Sequence, residues 1–382
     1  MIDLAAVELR EIALPLKEPF RISSGTTHDR RILLVRVADR DGAEGWGECV
    51  AGESPHYSAE TVDTAWLAIT RWIAPLALSL RVTDPAELYE TLDARLRGHR
   101  MARAAVEMAV WDLAARRDGV ALSTYLGGAR TTVPTGISLG LQESVDQLVR
   151  RATDAVAAGY RRIKVKIARG SDREALGAVR EAIGPEFALT ADANAAYTPG
   201  DTDLLRSLDD FALAMLEQPF DPEDLLRHAL LQRGLRTPLC LDESITSPAR
   251  AADMIALQAG KVINIKPGRV GGHTAARAIH DIAAEHGIGV WCGGMLESGI
   301  GRAHNVALAS LPHFTLPGDL SPSARYWEQD IVEPPWTMRD GALAVPLDRP
   351  GIGVDVDLDL VESLTVRHEA LPAGPAQHAD GR

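Results

Sequence analysis

The feature that most constrains the fold of this chain is a regular recurrence of single residues at the ends of short apolar runs. Between Ile163 and Gly294 these positions return every 24 to 26 residues. Segments of about one helix length, such as Asp172 to Ile183, lie between the runs. A strand followed by a helix, repeated at this pitch, predicts a (β/α) barrel, whose catalytic groups lie at the carboxyl ends of its strands. The recurring positions are Lys166, Asp192, Glu217, Asp242, Lys266 and Cys292.

Different patterns flank this repeat. The chain begins with strand-like segments and continues with three helical ones, which indicates an α+β unit. Thr132 to Leu139 reads as the first barrel strand, and we expect Phe314 to Asp319 to form the eighth. We therefore divide the chain into an α+β unit over residues 1–128, a barrel over 129–325, a segment of short strands over 326–370 and a disordered tail over 371–382.

The net charge and the hydropathy pattern narrow the classes of partner. A formal charge of −13 argues against nucleic acid or an anionic membrane, because both attract positive charge. An anionic small substrate is not excluded, since a local pocket of lysine, arginine or metal can override the global sign. No apolar stretch reaches the roughly 18 residues that cross a membrane, and no signal peptide is visible. We expect a cytoplasmic homo-oligomer that binds a small-molecule carboxylate, with no nucleic-acid or membrane partner.

The cysteines indicate a reducing compartment. Cys49, Cys240 and Cys292 are far apart in sequence, and no CxxC motif is present. This spacing argues against a disulfide framework and against a structural zinc site. Two of the three end strand-like runs, so we expect buried rather than reactive thiols.

Three acids in the repeat predict a metal site. If Lys164 and Lys166 lie on strand two, then Asp192, Glu217 and Asp242 fall on the neighbouring strands three, four and five. Three inward carboxylates at one end of a barrel repel each other, and burying each costs several kcal/mol. A hard cation offsets this cost, and an all-oxygen ligand set with open positions suits Mg²⁺, or Mn²⁺ in its place. Any one of these acids alone is more simply a helix N-cap, but their matched strand positions favour the metal.

Two lysines are predicted to face each other across the barrel. Lys166 falls on strand two and Lys266 on strand six, four strands apart in a ring of eight. A lysine acts as a base only if burial or a nearby cation, such as Lys164 or a metal, lowers its pKa. Two opposed bases can remove a proton from one face of a carbon and return it to the other, as racemisation requires. Either lysine alone is more simply a solvated side chain, and Arg269 either tunes Lys266 or is solvated.

These motifs resemble those of the enolase superfamily, in its muconate-lactonising-like branch. That similarity rests on Lys164-Val-Lys166, Asp192-Ala-Asn194, Glu217, Asp242-Glu243 and Lys266. Three longer segments, Asn264 to Gly272, Trp291 to Arg302 and Asn305 to Pro312, are similar to the N-acylamino acid racemase/o-succinylbenzoate synthase family. The resemblance implies an α/β protein in which an α+β capping domain, with two covering loops, closes a modified (β/α)₇β barrel.

The resemblance also implies a reaction. It suggests an Mg²⁺-dependent racemase of N-acylamino acids, with N-succinylamino acids as expected substrates, that uses two-base 1,1-proton transfer through a metal-stabilised enolate. The alternative is o-succinylbenzoate synthase, a dehydration in the menaquinone pathway, and one enzyme can carry both activities. The implied catalytic residues are Lys166 and Lys266, and the implied metal ligands are Asp192, Glu217 and Asp242. The implied substrate-binding residues are Lys164, Asn194, Ser138, Phe20, Tyr57, Met295, Leu296 and Tyr326. The family pattern would place an aspartate at Ala324, which leaves the preferred amino-acid side chain open.

Two functions of other classes are open to test. Gly136-Ile-Ser138-Leu-Gly140 spells the G-x-S-x-G nucleophile elbow, so a serine hydrolase using Ser138 is a remote alternative. The elbow requires a helix to begin directly after the serine, whereas residues 140–143 intervene before a predicted cap at Ser144. A non-catalytic barrel used for binding is the other alternative, and it predicts no exchange of any substrate proton.

Overall fold

The N-terminal part of the chain is an antiparallel sheet with helices packed on it. The computed structural model describes residues 1–22, 25–170 and 172–373. The elements of this part, in chain order, are β1 (Ile2–Ile22), β2 (Gly25–Asp39), β3 (Glu44–Cys49), α1 (Val62–Ala68), a π-helical turn (Ile69–Ile73), α2 (Ala74–Leu78), β4 (Arg81–Val82), α3 (Pro85–Arg95), α4 (Arg100–Arg117) and α5 (Leu122–Tyr125). β1, β2 and β3 pair in order, and β4 pairs with the start of β1.

Both faces of this sheet are buried. On β2, Ile32 and Leu34 pack into the apolar cluster that contains the barrel helices, whereas Leu33 and Val35 pack with the helices of the N-terminal part. Successive strand residues point to opposite faces. The sheet therefore lies between its own helices and the barrel.

The barrel follows. Its elements are β5 (Thr132–Pro134), β6 (Ile137–Leu139), α6 (Val145–Ala157), β7 (Ile163–Lys166), α7 (Asp172–Ile183), β8 (Leu189–Asp192), a 3₁₀ turn (Pro199–Asp201), α8 (Thr202–Ser207), a second 3₁₀ turn (Leu208–Phe211), β9 (Met215–Glu217), α9 (Leu225–Arg233), β10 (Leu239–Leu241), α10 (Pro248–Leu257), β11 (Val262–Ile265), α11 (Pro267–Val270), α12 (His273–Glu285), β12 (Gly289–Cys292), α13 (Gly299–Ala309) and a 3₁₀ turn (Ser323–Arg325). Seven of its strands, β6 to β12, form one parallel sheet in sequence order. The expected fold class, an α+β cap on a (β/α)₇β-type barrel, is confirmed.

The ring closes differently from the expectation. The predicted first strand, Thr132 to Leu139, is divided: β5 leaves the barrel to pair with a later strand, and only β6 joins the parallel sheet. The backbone changes partner after Thr135, whose N–H donates to Gly341 (2.9 Å), whereas the N–H of Gly136 donates to Gly318 (2.7 Å). The predicted eighth strand, Phe314 to Asp319, forms only an isolated bridge between Gly318 and Thr135. Backbone bonds from Gly318 to Pro134 (3.0 Å) and from Asp319 to Cys292 (3.0 Å) nevertheless close the ring.

The chain ends back on the N-terminal sheet. The last elements are β13 (Val332–Glu333), β14 (Met338–Arg339), β15 (Ala342–Ala344), β16 (Asp355–Val356), α14 (Leu358–Leu364) and β17 (Thr365–Pro372). β17 pairs antiparallel with β1, and its register reaches Leu371 and Pro372. Order therefore extends three residues into the tail that we expected to be disordered from position 371, since Ala373 also donates to the Ala5 carbonyl (2.7 Å), and residues 374–382 lie outside the described residues.

Two buried glutamates of the cap bind the amino-terminal ends of barrel helices. Glu48 accepts hydrogen bonds from the backbone N–H groups of Ser298 (3.1 Å) and Gly301 (3.0 Å), at the start of α13. Glu107 accepts bonds from the first two N–H groups of α12 and from Thr274 Oγ1 (2.6 Å). Unpaired N–H groups and the helix dipole favour a carboxylate at a helix start. The cap and the barrel are thus joined by polar contacts as well as by the apolar core.

The three cysteines are buried, as the sequence predicts. Cys49, Cys240 and Cys292 are buried and form no disulfide. Among the described residues, no helix has the length and apolar character needed to cross a membrane.

The packing of β3 on α4 generates a stability prediction. A Cβ at Gly47 would lie 2.1 Å from the carbonyl oxygen of Ala105, so the strand or the helix must move to admit it. We expect Gly47→Ala to lower the free energy of unfolding by about 3 kcal/mol, the upper end of overpacking costs. Gly200→Ala is the control, since its nearest atom is 3.6 Å away. Urea denaturation measures both, and equal midpoints for the two variants would contradict the packing argument.

Candidate active site

The residues predicted to carry the chemistry lie at the carboxyl edge of the barrel sheet. Lys166, Asp192 and Glu217 are the last residues of β7, β8 and β9, and they are cross-strand neighbours in that order. Asp242 and Lys266 directly follow β10 and β11. Because parallel strands of a barrel end at one face, these five side chains meet in its mouth.

Lys164 and Lys166 share the carboxylates of β8 and β9. The Nζ atom of Lys166 lies 2.6 Å from Asp192 Oδ2 and 2.7 Å from Asn194 Oδ1. The Nζ atom of Lys164 lies 3.2 Å from both Asp192 Oδ2 and Glu217 Oε2. Both lysines are buried. Their alternation along β7 places them on one face of the strand, as the spacing predicts.

Lys266 is bound on the opposite side of the mouth. Its Nζ atom lies 2.8 Å from Asp242 Oδ2 and 3.2 Å from the hydroxyl of Tyr57, which comes from a loop of the cap. Arg269 donates to the other oxygen of Asp242 and to the backbone carbonyls of Asn264 (2.6 Å) and Ile245 (2.8 Å). Of the two alternatives for Arg269, solvation is excluded, because the side chain is buried.

Neighbouring charges shift the pKa values of the buried acids in different directions. Burial alone would raise the pKa of Asp192, but Lys166 and Lys164 hold it below its usual range. Burial and the neighbouring charge of Asp192 instead raise the pKa of Glu217 to about 8. Burial, Asp242 and Asp192 raise the pKa of Glu243 to about 7. The site therefore contains carboxyl groups that another cation would convert fully to carboxylates.

A lysine that acts as a base is expected to have a lowered pKa, but the pKa values of Lys266 and Lys164 are raised. Burial lowers the pKa of Lys266, but Asp242, Tyr57 and Glu243 together outweigh burial and hold the pKa above the ordinary value. Burial also lowers the pKa of Lys164, but the carboxylates of Asp319, Glu217 and Asp192 together raise it above the ordinary value. An ion pair at 2.8 Å favours the ammonium form. In this arrangement Lys266 carries a proton and can act first as an acid.

The side-chain oxygens of the site are of the type that binds a hard divalent cation. Asp192, Glu217 and Asp242 present carboxylate oxygens from neighbouring strand ends, the ligand type that Mg²⁺ prefers. Two more buried oxygens, Asn264 Oδ1 and Glu243 Oε2, have no hydrogen-bond partner among the described residues. No three His, Cys, Asp or Glu side chains in residues 1–22, 25–170 and 172–373 already converge as a metal-binding group. Lysine ammonium groups instead bridge the acids.

A cavity of about 420 Å³ lies between the cap loops and the barrel mouth. This volume is in the range of small-molecule sites, roughly 300–1,000 Å³. Seven of the predicted site residues line it: Phe20, Tyr57, Lys166, Asn194, Lys266, Met295 and Leu296. The acids and Lys164 are buried beneath it.

Ser138 and Tyr326 are not among the described residues that line this cavity. Tyr326 packs in the apolar core beside Trp327. Ser138 is the middle residue of β6, and α6 begins only at Val145. None of the described side chains forms a hydrogen bond with the Ser138 hydroxyl. A nucleophile elbow needs a turn at the serine and a base bonded to it, so these observations argue against a serine hydrolase.

The sequence reading missed Asp319 as a partner of Lys164. Asp319 Oδ2 lies 2.6 Å from Lys164 Nζ, and the other oxygen of Asp319 accepts a bond from the buried Arg162. The Trp291 ring lies 4.8 Å from Lys164 Nζ and 4.1 Å from the Arg162 guanidinium. The spacing of the repeat could have identified Asp319 as a further strand-end residue, because it follows Cys292 by one more step of similar length.

Comparisons with known proteins give the same assignment over the whole chain. Residues 5–127 match the mandelate racemase/muconate lactonizing enzyme N-terminal domain, and residues 147–360 match the enolase C-terminal domain-like family. The chain is 49% identical to an o-succinylbenzoate synthase of Geobacillus stearothermophilus, over 95% of this chain and 96% of that one. It is 47% identical to an N-succinylamino acid racemase of an Amycolatopsis species, over 95% and 97%. A crystal structure of an enolase-superfamily member from Listeria innocua superposes with a TM-score of 0.95 at 38% identity, covering 98% of this chain and 100% of that one.

Asp319 generates a prediction of pH-dependent stability. Asp319→Asn should lower the free energy of unfolding by about 3 kcal/mol near neutral pH, because it leaves Lys164 and Arg162 buried with one carboxylate fewer. Although burial would raise it, Lys164 and Arg162 lower the pKa of Asp319 from 3.8 to about 2. The stabilisation is therefore complete above a pH of about 4 and is lost as the pH falls toward 2.

Urea denaturation at about pH 7 and about pH 3 measures this effect. The difference between wild type and Asp319→Asn should be smaller at the lower pH. Asp203→Asn is the control, since that side chain is 98% exposed, and it should change stability by less than about 0.5 kcal/mol. An equal difference in the free energy of unfolding between wild type and Asp319→Asn at both pH values would contradict the assigned ion pair.

Proposed function

The chain belongs to the enolase superfamily, and from this membership and the geometry of its site we propose that it racemises N-acylamino acids, with N-succinylamino acids as substrates. The observation that carries this proposal is the placement of two lysines in one cavity. Lys166 ends β7 and Lys266 follows β11, four strands further around the sheet, and both line the cavity. A substrate α-carbon between them has a proton donor or acceptor on each face.

Each lysine has one task in each direction of the reaction. For one enantiomer, Lys166 takes the α-proton and Lys266 gives its own proton to the opposite face. For the other enantiomer, the roles are exchanged. Asp192 and Asn194 orient Lys166, and Asp242 with Tyr57 orients Lys266. Lys164 adds positive charge beneath the site, where it attracts the substrate carboxylate.

Asp192, Glu217 and Asp242 are the residues that would hold Mg²⁺, or Mn²⁺. When bound there, the ion neutralises the substrate carboxylate and the negative charge that develops as the α-proton leaves, an effect worth several kcal/mol. The carboxylates that hold a cation are less available to the lysines. A cation held by Asp242 would weaken the ion pair of this carboxylate with Lys266, and the raised pKa of Lys266 would then fall.

Formation of o-succinylbenzoate by dehydration is the second candidate, because the relative at 49% identity carries the name o-succinylbenzoate synthase. Both reactions begin with loss of a proton α to a carboxylate. Dehydration then expels a β-hydroxyl group and needs only one lysine as base, with the other acting as a cation. Racemisation needs both lysines to carry a proton, so substitution of each lysine distinguishes the two reactions.

The two-base proposal predicts isotope exchange together with loss of optical rotation. An N-succinyl-L-amino acid incubated with the enzyme and Mg²⁺ in D₂O should lose its optical rotation while deuterium appears at the α-carbon, as followed by polarimetry and proton NMR. Lys166→Ala and Lys266→Ala should each slow racemisation by about 10²–10⁴-fold, the usual size of general-base catalysis. Each variant should still exchange the α-proton of one enantiomer only.

Lys261→Ala is the matched control, since Lys261 lies near Lys266 in sequence but is exposed. Near wild-type racemisation by either catalytic variant would make that lysine a spectator. If rotation stays constant for a panel of N-acylamino acids while the cyclohexadiene precursor of o-succinylbenzoate is dehydrated rapidly, the dehydration is the reaction. If neither substrate class exchanges a proton, the chain is a binding barrel.

The metal proposal has a readout that does not depend on turnover. Asp242→Asn should weaken Mn²⁺ binding by about 10–100-fold, measured by calorimetry or by the electron paramagnetic resonance of free Mn²⁺. Asp203→Asn should bind as the wild type does. A chelator should also abolish turnover, and Mg²⁺ should restore it. Full activity of the metal-free protein, or equal Mn²⁺ affinity in both variants, would refute the ligand assignment.

A further inference from the structure

Arg30 is a buried cation of the cap that has almost no partners. It lies on β2, it is 5% exposed, and it lines the cavity that also holds Lys166 and Lys266. Its Nε and Nη2 atoms have no hydrogen-bond partner among the described residues, and its Nη1 reaches only the Ala51 carbonyl, at 3.5 Å. No carboxylate of the described chain lies within ion-pair distance of it. A guanidinium that is buried without partners loses hydration and gains nothing in return.

The strand pattern directs Arg30 toward the barrel. Arg30 is on the same face of β2 as Ile32 and Leu34, which pack into the cluster shared with the barrel helices. The donors of Arg30 therefore face the substrate cavity rather than the helices of the cap.

The nearby buried acids are engaged elsewhere. Glu48 is bound to the start of α13 through Ser298 and Gly301, and Glu297 accepts a bond from Asn305 at 2.7 Å. They attract Arg30 at longer range without satisfying its N–H groups. Other acids of the cavity rim, Asp29 and Glu53, are exposed, where solvent screens their repulsion of an anion.

We propose that Arg30 binds a second carboxylate of the substrate, at the far end of its acyl chain. A planar guanidinium with free N–H groups fits a carboxylate through two parallel hydrogen bonds. The acyl group is then that of a dicarboxylic acid, and the first carboxylate lies among the lysines and acids of the barrel. This inference rests on the proposed function for the position of the reacting carboxylate. It holds for both candidate reactions, because an N-succinylamino acid and o-succinylbenzoate each carry a succinyl chain that ends in a carboxylate.

The test compares acyl groups that differ only at the far end. The substrates are one amino acid carrying an N-succinyl group or the same chain ending in a neutral amide, the N-(3-carbamoylpropanoyl) group. We expect the wild type to prefer the N-succinyl substrate in kcat/KM by about 10–100-fold, the usual value of a charged hydrogen bond. Arg30→Met should reduce this ratio to near one, and Arg30→Lys should keep part of it. Arg95→Met, at an exposed position of α3, should keep the wild-type ratio.

Each other outcome overturns the inference. A wild type without preference between the two acyl groups refutes it, and so does an unchanged ratio in Arg30→Met. If Arg30→Met does not fold, the wild-type ratio and Arg30→Lys decide: a reduced preference in Arg30→Lys supports the inference, and an unchanged preference refutes it. If no N-acylamino acid is racemised, the proposed function fails separately. Calorimetry then measures the affinities of the wild type, Arg30→Met and Arg30→Lys for o-succinylbenzoate and for its terminal amide. Equal affinities of the wild type for the two compounds would refute the role of Arg30.

Discussion

The structure depends on how three carboxylates are kept in the mouth of a closed barrel. Asp192, Glu217 and Asp242 are at most 1% exposed, and each would lose several kcal/mol of hydration if it were unpaired. Lysines on the same strand ends supply most of the compensation. A well-packed apolar core would be at least as stable as such an ionic cluster. The cluster therefore indicates selection for chemistry, and the parallel strands provide it by ending at one face.

The cap completes the site while the barrel supplies its charges. Glu48 and Glu107 hold the starts of α13 and α12, and these helices follow the segments that carry Leu296 and Lys266. Tyr57 reaches from a cap loop to Asp242. Movement of the cap would thus disturb both the wall of the cavity and a partner of Lys266. In the proposed reaction the cap would contribute to substrate selection and the barrel to proton transfer, and the two units share polar contacts.

The repeat in the sequence predicts the part of the site that depends on periodicity. The strand-end positions of Lys166, Asp192 and Glu217 follow from spacing, because a β/α unit of nearly constant length returns the chain to the same edge. Spacing does not reveal how the ring closes, which depends on backbone hydrogen bonds of Pro134 and Gly136 with Gly318. Nor does it reveal Arg30, whose side chain lines the cavity only once the cap has packed on the barrel.

The local charge of the site differs from the net charge of the chain, which bears on the proposed binding of an anionic substrate. The chain carries a formal charge of −13, yet the cationic side chains of the mouth match its acids in number. Two of these acids, Glu217 and Glu243, have pKa values raised to about 8 and about 7, so they are largely or partly protonated near neutral pH. The buried mouth therefore carries less negative charge than the composition of the whole chain indicates. The cationic members are Arg162, Lys164, Lys166, Lys266 and Arg269, and the acidic ones are Asp192, Glu217, Asp242, Glu243 and Asp319.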